Sequence, residues 1–245
     1  MRFLNTGIPA RQEPERLYKG LPMTPSNRRL IPERIQNAYM RLIAPLIRLF
    51  TRWGMNPNTF TVAGVIITSF AAVAFFLQSP RLGGALVLLG GLCDSIDGSL
   101  ARNSGKASRF GALLDSSVDR YAEFAMLFGI GGYFLLTRDY FSSAGTFLAL
   151  CGSFMVSYTR ARAESLGFAA KVGIMQRPER IVFLGAGALI HPVALTIAIW
   201  MVAVFANFTA LQRLRFAFKQ DSGPPHPHKK EDPTLKSVPV TKGQT

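Results

Sequence analysis

The sequence predicts an all-α membrane protein: six transmembrane helices preceded by an N-terminal amphipathic interfacial helix, with both termini in the cytoplasm. Three observations carry this reading. Of the 245 residues, 49% are hydrophobic and 17% charged, the balance of one integral membrane domain with polar ends rather than a soluble globule. The apolar residues gather into runs close to the ~20 residues that a bilayer requires. The basic residues gather between those runs: ten precede the first, three lie at 101–109, five at 160–180 and seven after residue 212. Only Arg81, Arg138 and the intramembrane Arg120 fall elsewhere. The positive-inside rule then puts both termini and the second and fourth loops in the cytoplasm, which requires an even number of spans.

Along the chain, residues 1–30 form a polar, proline-containing segment with no apolar core and therefore no cleavable signal peptide. Residues 31–53 read as an amphipathic juxtamembrane helix. Ile35, Tyr39, Leu42, Leu46 and Phe50 share one face, and Arg34, Arg41, Arg48 and Arg52 line the other, the pattern of a helix lying on the cytoplasmic leaflet. Pro45 should kink it. An ordinary packed amphipathic helix is the alternative. Asn58 or Thr59 can cap the first span with a side-chain oxygen. The spans fall near 60–77, 82–100, 110–136, 141–163, 181–190 and 192–214, together a transmembrane domain over 54–218. The fifth is short, and starting it at Pro178 as a first-turn proline brings it near an adequate length.

The tail at 219–245, rich in Pro, Lys and Ser, should be disordered. Cys93 and Cys151 both lie in apolar segments, so no structural disulfide is expected. The net charge of +14 flanks the spans, so topology and anionic membrane lipids explain it, and no nucleic-acid partner is expected. The pairs Gly83-Gly84 and Gly90-Gly91, and Gly129 through Gly132, permit close helix contacts in a compact bundle or a dimer seam.

Chemistry concentrates between residues 94 and 119. Asp94 and Asp97 are spaced i,i+3, and Asp115 and Asp119 i,i+4, so each pair projects from one face of its own helix. A carboxylate at membrane depth costs about 2.5–3.5 kcal/mol on insertion scales, so four of them imply a polar cavity and a shared cation. Oxygen ligands with no His or Cys pair nearby suit Mg²⁺ or Mn²⁺, and two ions about 3.5–4 Å apart suit phosphoryl-type chemistry. Structural ion pairing with Arg102, Arg109 and Arg120 is the bland alternative, but it demands no such spacing. A divalent-cation transporter is the rival from another class; Gly98, Ala101 and Arg102 put the carboxylates near one surface, whereas transporters hold them at mid-membrane.

The pattern D-x2-D-G-x2-A-R-x8-G-x3-D-x3-D over 94–119 resembles, at every fixed position, the signature of the CDP-alcohol phosphotransferase family. The resemblance implies transfer of a substituted phosphate from a CDP-linked donor, such as CDP-diacylglycerol, to an acceptor alcohol with CMP leaving, in phospholipid biosynthesis at the cytoplasmic face of the cell's inner membrane. It implies Asp94, Asp97, Asp115 and Asp119 as metal ligands, with Asp119 also the catalytic base. It sets Gly98, Ala101 and Arg102 against the nucleotide, with Ser108, Gly111, Pro57 and Thr61 completing the donor site, and it implies a homodimer.

The acceptor is read from the fourth cytoplasmic connection. Arg160, Arg162, Arg177 and Arg180 fall within 21 residues, and arginine forks match phosphate bidentately, so the acceptor already carries a phosphate. The stretch S-Y-x-[KR]-A-R-A-E followed by R-P-E-R is similar to that of prokaryotic synthases using inositol 1-phosphate. On that likeness Ser157 and the four arginines bind the acceptor phosphate, although Arg160 stands where lysine is common. Glycerol 3-phosphate is the alternative acceptor, since both are phosphorylated.

Overall fold

The computed structural model describes residues 30–103, 109–170 and 172–222, apart from the side chains of Glu33, Asn103 and Arg109. The expected N-terminal segment up to residue 29, Ser108 and the tail from residue 223 lie outside the described residues. Seven α-helices account for the described chain: α1 (Glu33–Arg52), α2 (Pro57–Phe76), α3 (Pro80–Asn103), α4 (Arg109–Leu136), α5 (Tyr140–Ser165), α6 (Arg177–Ile190) and α7 (Pro192–Asp221).

Four of them, α2, α3, α5 and α7, are long and apolar enough to cross a membrane by length and composition. Their outward faces carry large exposed apolar side chains, Ile66 and Phe70 on α2 and Ile197 and Val204 on α7 among them. A soluble surface would not leave such side chains in rows; this is a membrane protein. The other two helices of the expected six differ in kind. α4 has 28 residues, but Asp115, Asp119, Arg120 and Glu123 charge its first half. α6 has 14 residues. Both depart from span-like composition where they carry polar side chains into the interior.

The helix boundaries follow local chemistry. Pro57 occupies the first turn of α2, and Asn56, rather than Asn58 or Thr59, is its cap: Asn56 Oδ1 accepts from the Asn58 amide at 3.3 Å. A proline at the first helical position has its φ already set and needs no N–H partner, which moves the cap to the preceding residue. His191 is extended between α6 and α7, and its ring Nδ1 accepts from the Val193 amide at 3.2 Å, so the two helices join through a single residue. α7 runs on to Asp221, so the first residues of the expected tail are helical.

α1 continues through Pro45 as one helix. Its face divides differently from the expectation. Ile43 and Ile47 are buried with Ile96 and Leu100 of α3, and Leu46 and Phe50 pack against that cluster, while Ile35 and Leu42 point outward at 58% and 79% exposure. One flank of the apolar face is therefore used for packing and the other is left open.

The remaining neighbour pairs are α2–α3, α3–α6, α6–α7, α7–α5, α5–α4 and α4–α2. These close into a ring of six helices, with α1 on the outside of α3. One half of the ring's interior is filled by an apolar cluster that includes Phe75, Leu127, Ile130, Leu184, Ile199 and Val202. The glycine pairs serve contacts inside this ring. A Cβ on Gly84 would lie 2.6 Å from the Gly185 carbonyl oxygen and 2.8 Å from the Leu189 nitrogen, and one on Gly129 would lie 2.5 Å from the Ala72 Cα. The α3–α6 and α2–α4 backbones approach too closely for any side chain.

Gly84→Val should therefore part α3 from α6. Overpacking of this kind costs about 1–3 kcal/mol, and thermal unfolding of the purified protein in detergent should show a lowered midpoint. An unchanged midpoint would mean that the two helices are not held at this distance.

Candidate metal and phosphoryl-transfer site

α3 and α4 deliver the four aspartates to one end of the ring, where the apolar filling stops. Ligand oxygens of Asp94, Asp97 and Asp115 all lie within 4.8 Å of one another. Asp97 is buried at 5% exposure, and its neighbour across the α2–α3 contact is the side chain of Thr61. Asp97 Oδ2 and Asp115 Oδ1 are buried without a hydrogen-bond partner. Three convergent carboxylates, two of them with unpartnered buried oxygens, form an all-oxygen donor set that fits a hard divalent cation.

Asp119 stands one turn beyond Asp115 on α4 and is engaged differently. Its Oδ1 is 2.8 Å from a terminal nitrogen of Arg177, and its Oδ2 is 3.8 Å from Arg120. The other terminal nitrogen of Arg177 lies 2.7 Å from Asp94 Oδ1. Arg177 thus bridges a carboxylate of α3 and one of α4, although it enters from α6. One cleft is lined by Asp94, Asp97, Asp119 and Arg177 together with Thr61, Gly64, Glu123 and Met126.

The expected acceptor residues divide into two groups. Ser157, Arg160 and Arg162 lie on the last turns of α5. There Arg160 pairs with Glu164 at 2.9 Å with both side chains about two-fifths exposed, an arrangement that holds little energy and leaves the guanidinium available. Arg177 and Arg180 open α6. Arg180 does not face the open end: it is buried at 1% exposure, with its Nε 2.5 Å from Glu123 Oε1 and a terminal nitrogen 3.3 Å from the Met175 carbonyl oxygen. Of the donor residues, Thr61 and Pro57 lie at the start of α2, and Gly98 and Ala101 on α3. Arg102 is exposed there and donates to Ser99 Oγ at 3.2 Å. Gly111 lies on the first turn of α4.

Sequence reading left out Glu123 and Arg213. Glu123 follows Asp119 by four residues, so Asp115, Asp119 and Glu123 form one row along α4. That spacing was the available signal. Arg213 of α7, buried at 3% exposure, donates from Nε to the Val172 carbonyl at 2.8 Å and from a terminal nitrogen to the Val156 carbonyl. With Thr209 Oγ1 accepting from the Met175 amide at 3.0 Å, it fastens the α5–α6 connection to α7. No short-range pattern announced that contact.

The sequence pattern of CDP-alcohol phosphatidyltransferases matches residues 55–211, which contain the whole carboxylate cluster. The chain belongs to the CDP-alcohol phosphatidyltransferase family. It is similar to the archaetidylinositol phosphate synthase of Pyrococcus horikoshii, 40% identical over 168 residues that cover 68% of this chain and 86% of that one. The phosphatidylinositol phosphate synthase of Mycobacterium marinum is 34% identical over 186 residues, covering 72% of this chain and 80% of its own. Among solved structures, the Mycobacterium tuberculosis phosphatidylinositol phosphate synthase with CDP-DAG bound superposes with a TM-score of 0.65 at 31% identity, covering 73% of this chain and 94% of that one. The same enzyme in complex with manganese and citrate gives a TM-score of 0.65 at 31% identity over 71% and 88% of the two chains.

This phosphatidyltransferase is an enzyme rather than an ion pathway. Asp97→Asn and Asp115→Asn each remove a buried, unpartnered ligand oxygen and should weaken Mn²⁺ binding by at least about tenfold, or ~1.4 kcal/mol, in a titration followed by electron paramagnetic resonance. Unaltered Mn²⁺ affinity in both would show that the cluster does not hold the ion.

Proposed function

We propose that this enzyme transfers a phosphatidyl group from CDP-diacylglycerol to inositol 1-phosphate, releasing CMP and forming phosphatidylinositol phosphate. The observation that carries the proposal is the convergence of Asp94, Asp97 and Asp115 beside an arginine that enters from the acceptor-side helix, in a chain whose relatives are inositol phosphate-lipid synthases. Asp94, Asp97 and Asp115, with Asp119 contributing, would hold Mg²⁺ or Mn²⁺, as the pair of ions expected from the carboxylate count. Such ions, when bound, neutralise a diphosphate and stabilise a departing nucleotide phosphate.

The chain's own residues do the rest. Asp119 accepts the proton of the acceptor hydroxyl as that oxygen attacks the β-phosphorus, and the bond to the CMP oxygen breaks. Arg177 and Arg120 flank Asp119 and fix its orientation. Thr61 and Pro57 of α2, Gly98, Ala101 and Arg102 of α3 and Gly111 of α4 surround the nucleotide and its phosphates, and Ser108 is the further donor residue expected from the sequence. Ser157, Arg160 and Arg162 at the end of α5 bind the acceptor phosphate together with Arg177. Arg180, enclosed and paired with Glu123, supports Arg177 from behind rather than meeting the acceptor itself.

This reading places α2 to α7 as six spans with α1 along the cytoplasmic leaflet, both termini in the cytoplasm and the carboxylates facing it. The segments 1–30 and 219–245 then flank a single catalytic domain over 54–218. The membrane is the cell's inner (cytoplasmic) membrane, and the working unit is a homodimer.

CMP release by the purified protein, with CDP-diacylglycerol and Mg²⁺, should occur with inositol 1-phosphate as sole acceptor. Release with glycerol 3-phosphate alone would overturn the acceptor while keeping the carboxylate chemistry. Asp119→Asn should lose about 10²–10⁴-fold in turnover, the usual contribution of a general base, with CDP-diacylglycerol affinity retained. An equal loss of donor affinity would make Asp119 a ligand only. Arg160→Gln and Arg162→Gln should raise the acceptor KM several-fold and leave the donor KM unchanged.

A further inference from the structure

Glu123 is the last acid of the row Asp115, Asp119, Glu123 on α4, and it differs from the others in being almost wholly enclosed, at 4% exposure. Its Oε1 receives the Arg180 Nε at 2.5 Å, and its Oε2 is buried without a partner. It also lines the same cleft as Asp94, Asp97, Asp119 and Arg177. Facing this row, α6 presents Arg177 and Arg180, three residues apart and hence on one face. The two sets meet as successive rungs: Asp119 with Arg177 at 2.8 Å, then Glu123 with Arg180 at 2.5 Å.

The ring gives these rungs their importance. α6 packs against α3 and α7, and α4 packs against α2 and α5. The two helices are not ring neighbours, and these side chains reach across the interior between them. The outer rung is shared: Arg177 divides its terminal nitrogens between Asp119 and Asp94 and meets the cleft. The inner rung is enclosed, with both side chains at 1–2% exposure. A buried pair resists separation because either partner alone is an uncompensated charge in a low-dielectric interior, so the inner rung is the fixed one.

We propose that Glu123 is a positioning residue. By holding Arg180, it fixes the rotation and depth of the first turn of α6 and so sets the Arg177 guanidinium between Asp94 and Asp119, where the acceptor phosphate is to be received. The inference rests on the acceptor side of the function proposed above. It adds to that reading a residue which touches neither substrate.

The test is a double-mutant cycle in the full-length enzyme in detergent, with Glu123→Gln, Arg177→Gln and the double variant. Two quantities are read: steady-state KM for acceptor and donor, and inositol 1-phosphate binding by calorimetry with no donor present. Glu123→Gln should weaken acceptor binding and raise the acceptor KM at least ~10-fold, with donor KM within about twofold. In the Arg177→Gln background, the same substitution should add less than about twofold, since the guanidinium it positions is already gone. Full additivity would overturn the proposal, as would a fall in kcat with both KM values unchanged, the mark of a merely structural role. If Glu123→Gln does not fold, Arg180→Lys, which keeps the charge but loses the guanidinium fork, should give the same KM pattern and the same non-additivity, and additivity there is equally fatal. If the wild type turns over only glycerol 3-phosphate, the acceptor assignment fails by itself. The cycle is then run with that acceptor, and the coupling of Glu123 to Arg177 is decided independently.

Discussion

Everything at the polar end of this protein depends on one electrostatic constraint. Carboxylates from α3 and α4 have been brought inside a ring of membrane helices, and buried charge must be compensated within hydrogen-bonding distance. The compensation comes from across the ring. Arg177 joins Asp94 to Asp119, and Arg180 joins the row one turn further in. α6 and its neighbour α3 are thereby tied at one level to α4, which is not a ring neighbour of either. Asp97 and Asp115 each keep a buried oxygen with no hydrogen-bond partner.

The opposite half of the ring works by other means. Its polar side chains are mostly hydroxyls that return to their own helices: Thr146 to the Ser142 carbonyl at 2.9 Å and Thr159 to the Met155 carbonyl at 2.7 Å. Such bonds let a residue at membrane depth satisfy its donor without a partner helix. α5 and α7 can then pack through small residues, as where Gly145 meets the Trp200 ring at 2.9 Å from the position a Cβ would take. The apolar cluster between them is a stiff base on which the charged end is mounted.

The fold was largely legible because lipid demands long apolar helices, and five of the six span positions read from hydropathy end within a few residues of the observed helices. The sixth, α7, runs to Asp221 because its last turns pack beneath the α5–α6 connection: Gln220 exchanges two hydrogen bonds with the backbone of Ala169. No apolar periodicity reports that anchor. The carboxylates were legible for a related reason, since fixed spacing on a helix converts directly into a shared face. The arginines were harder. Their count announced an anion, but whether a given guanidinium meets solvent or a glutamate depends on which helices adjoin in the ring, and Arg180 and Glu123 lie 57 residues apart in sequence.

The brevity of α6 has a consequence for how a lipid substrate is handled. Fourteen residues rise only about 21 Å, against a hydrocarbon layer of about 30 Å. With its far end joined directly to α7, the shortfall falls at the end bearing Arg177. On the proposed orientation, the charged first turn of α6 would lie about a third of the hydrocarbon thickness below the cytoplasmic edge of that layer. The groups that meet the headgroup would then stand at the depth of the lipid itself, and the lipid would not have to be lifted out of the bilayer to react.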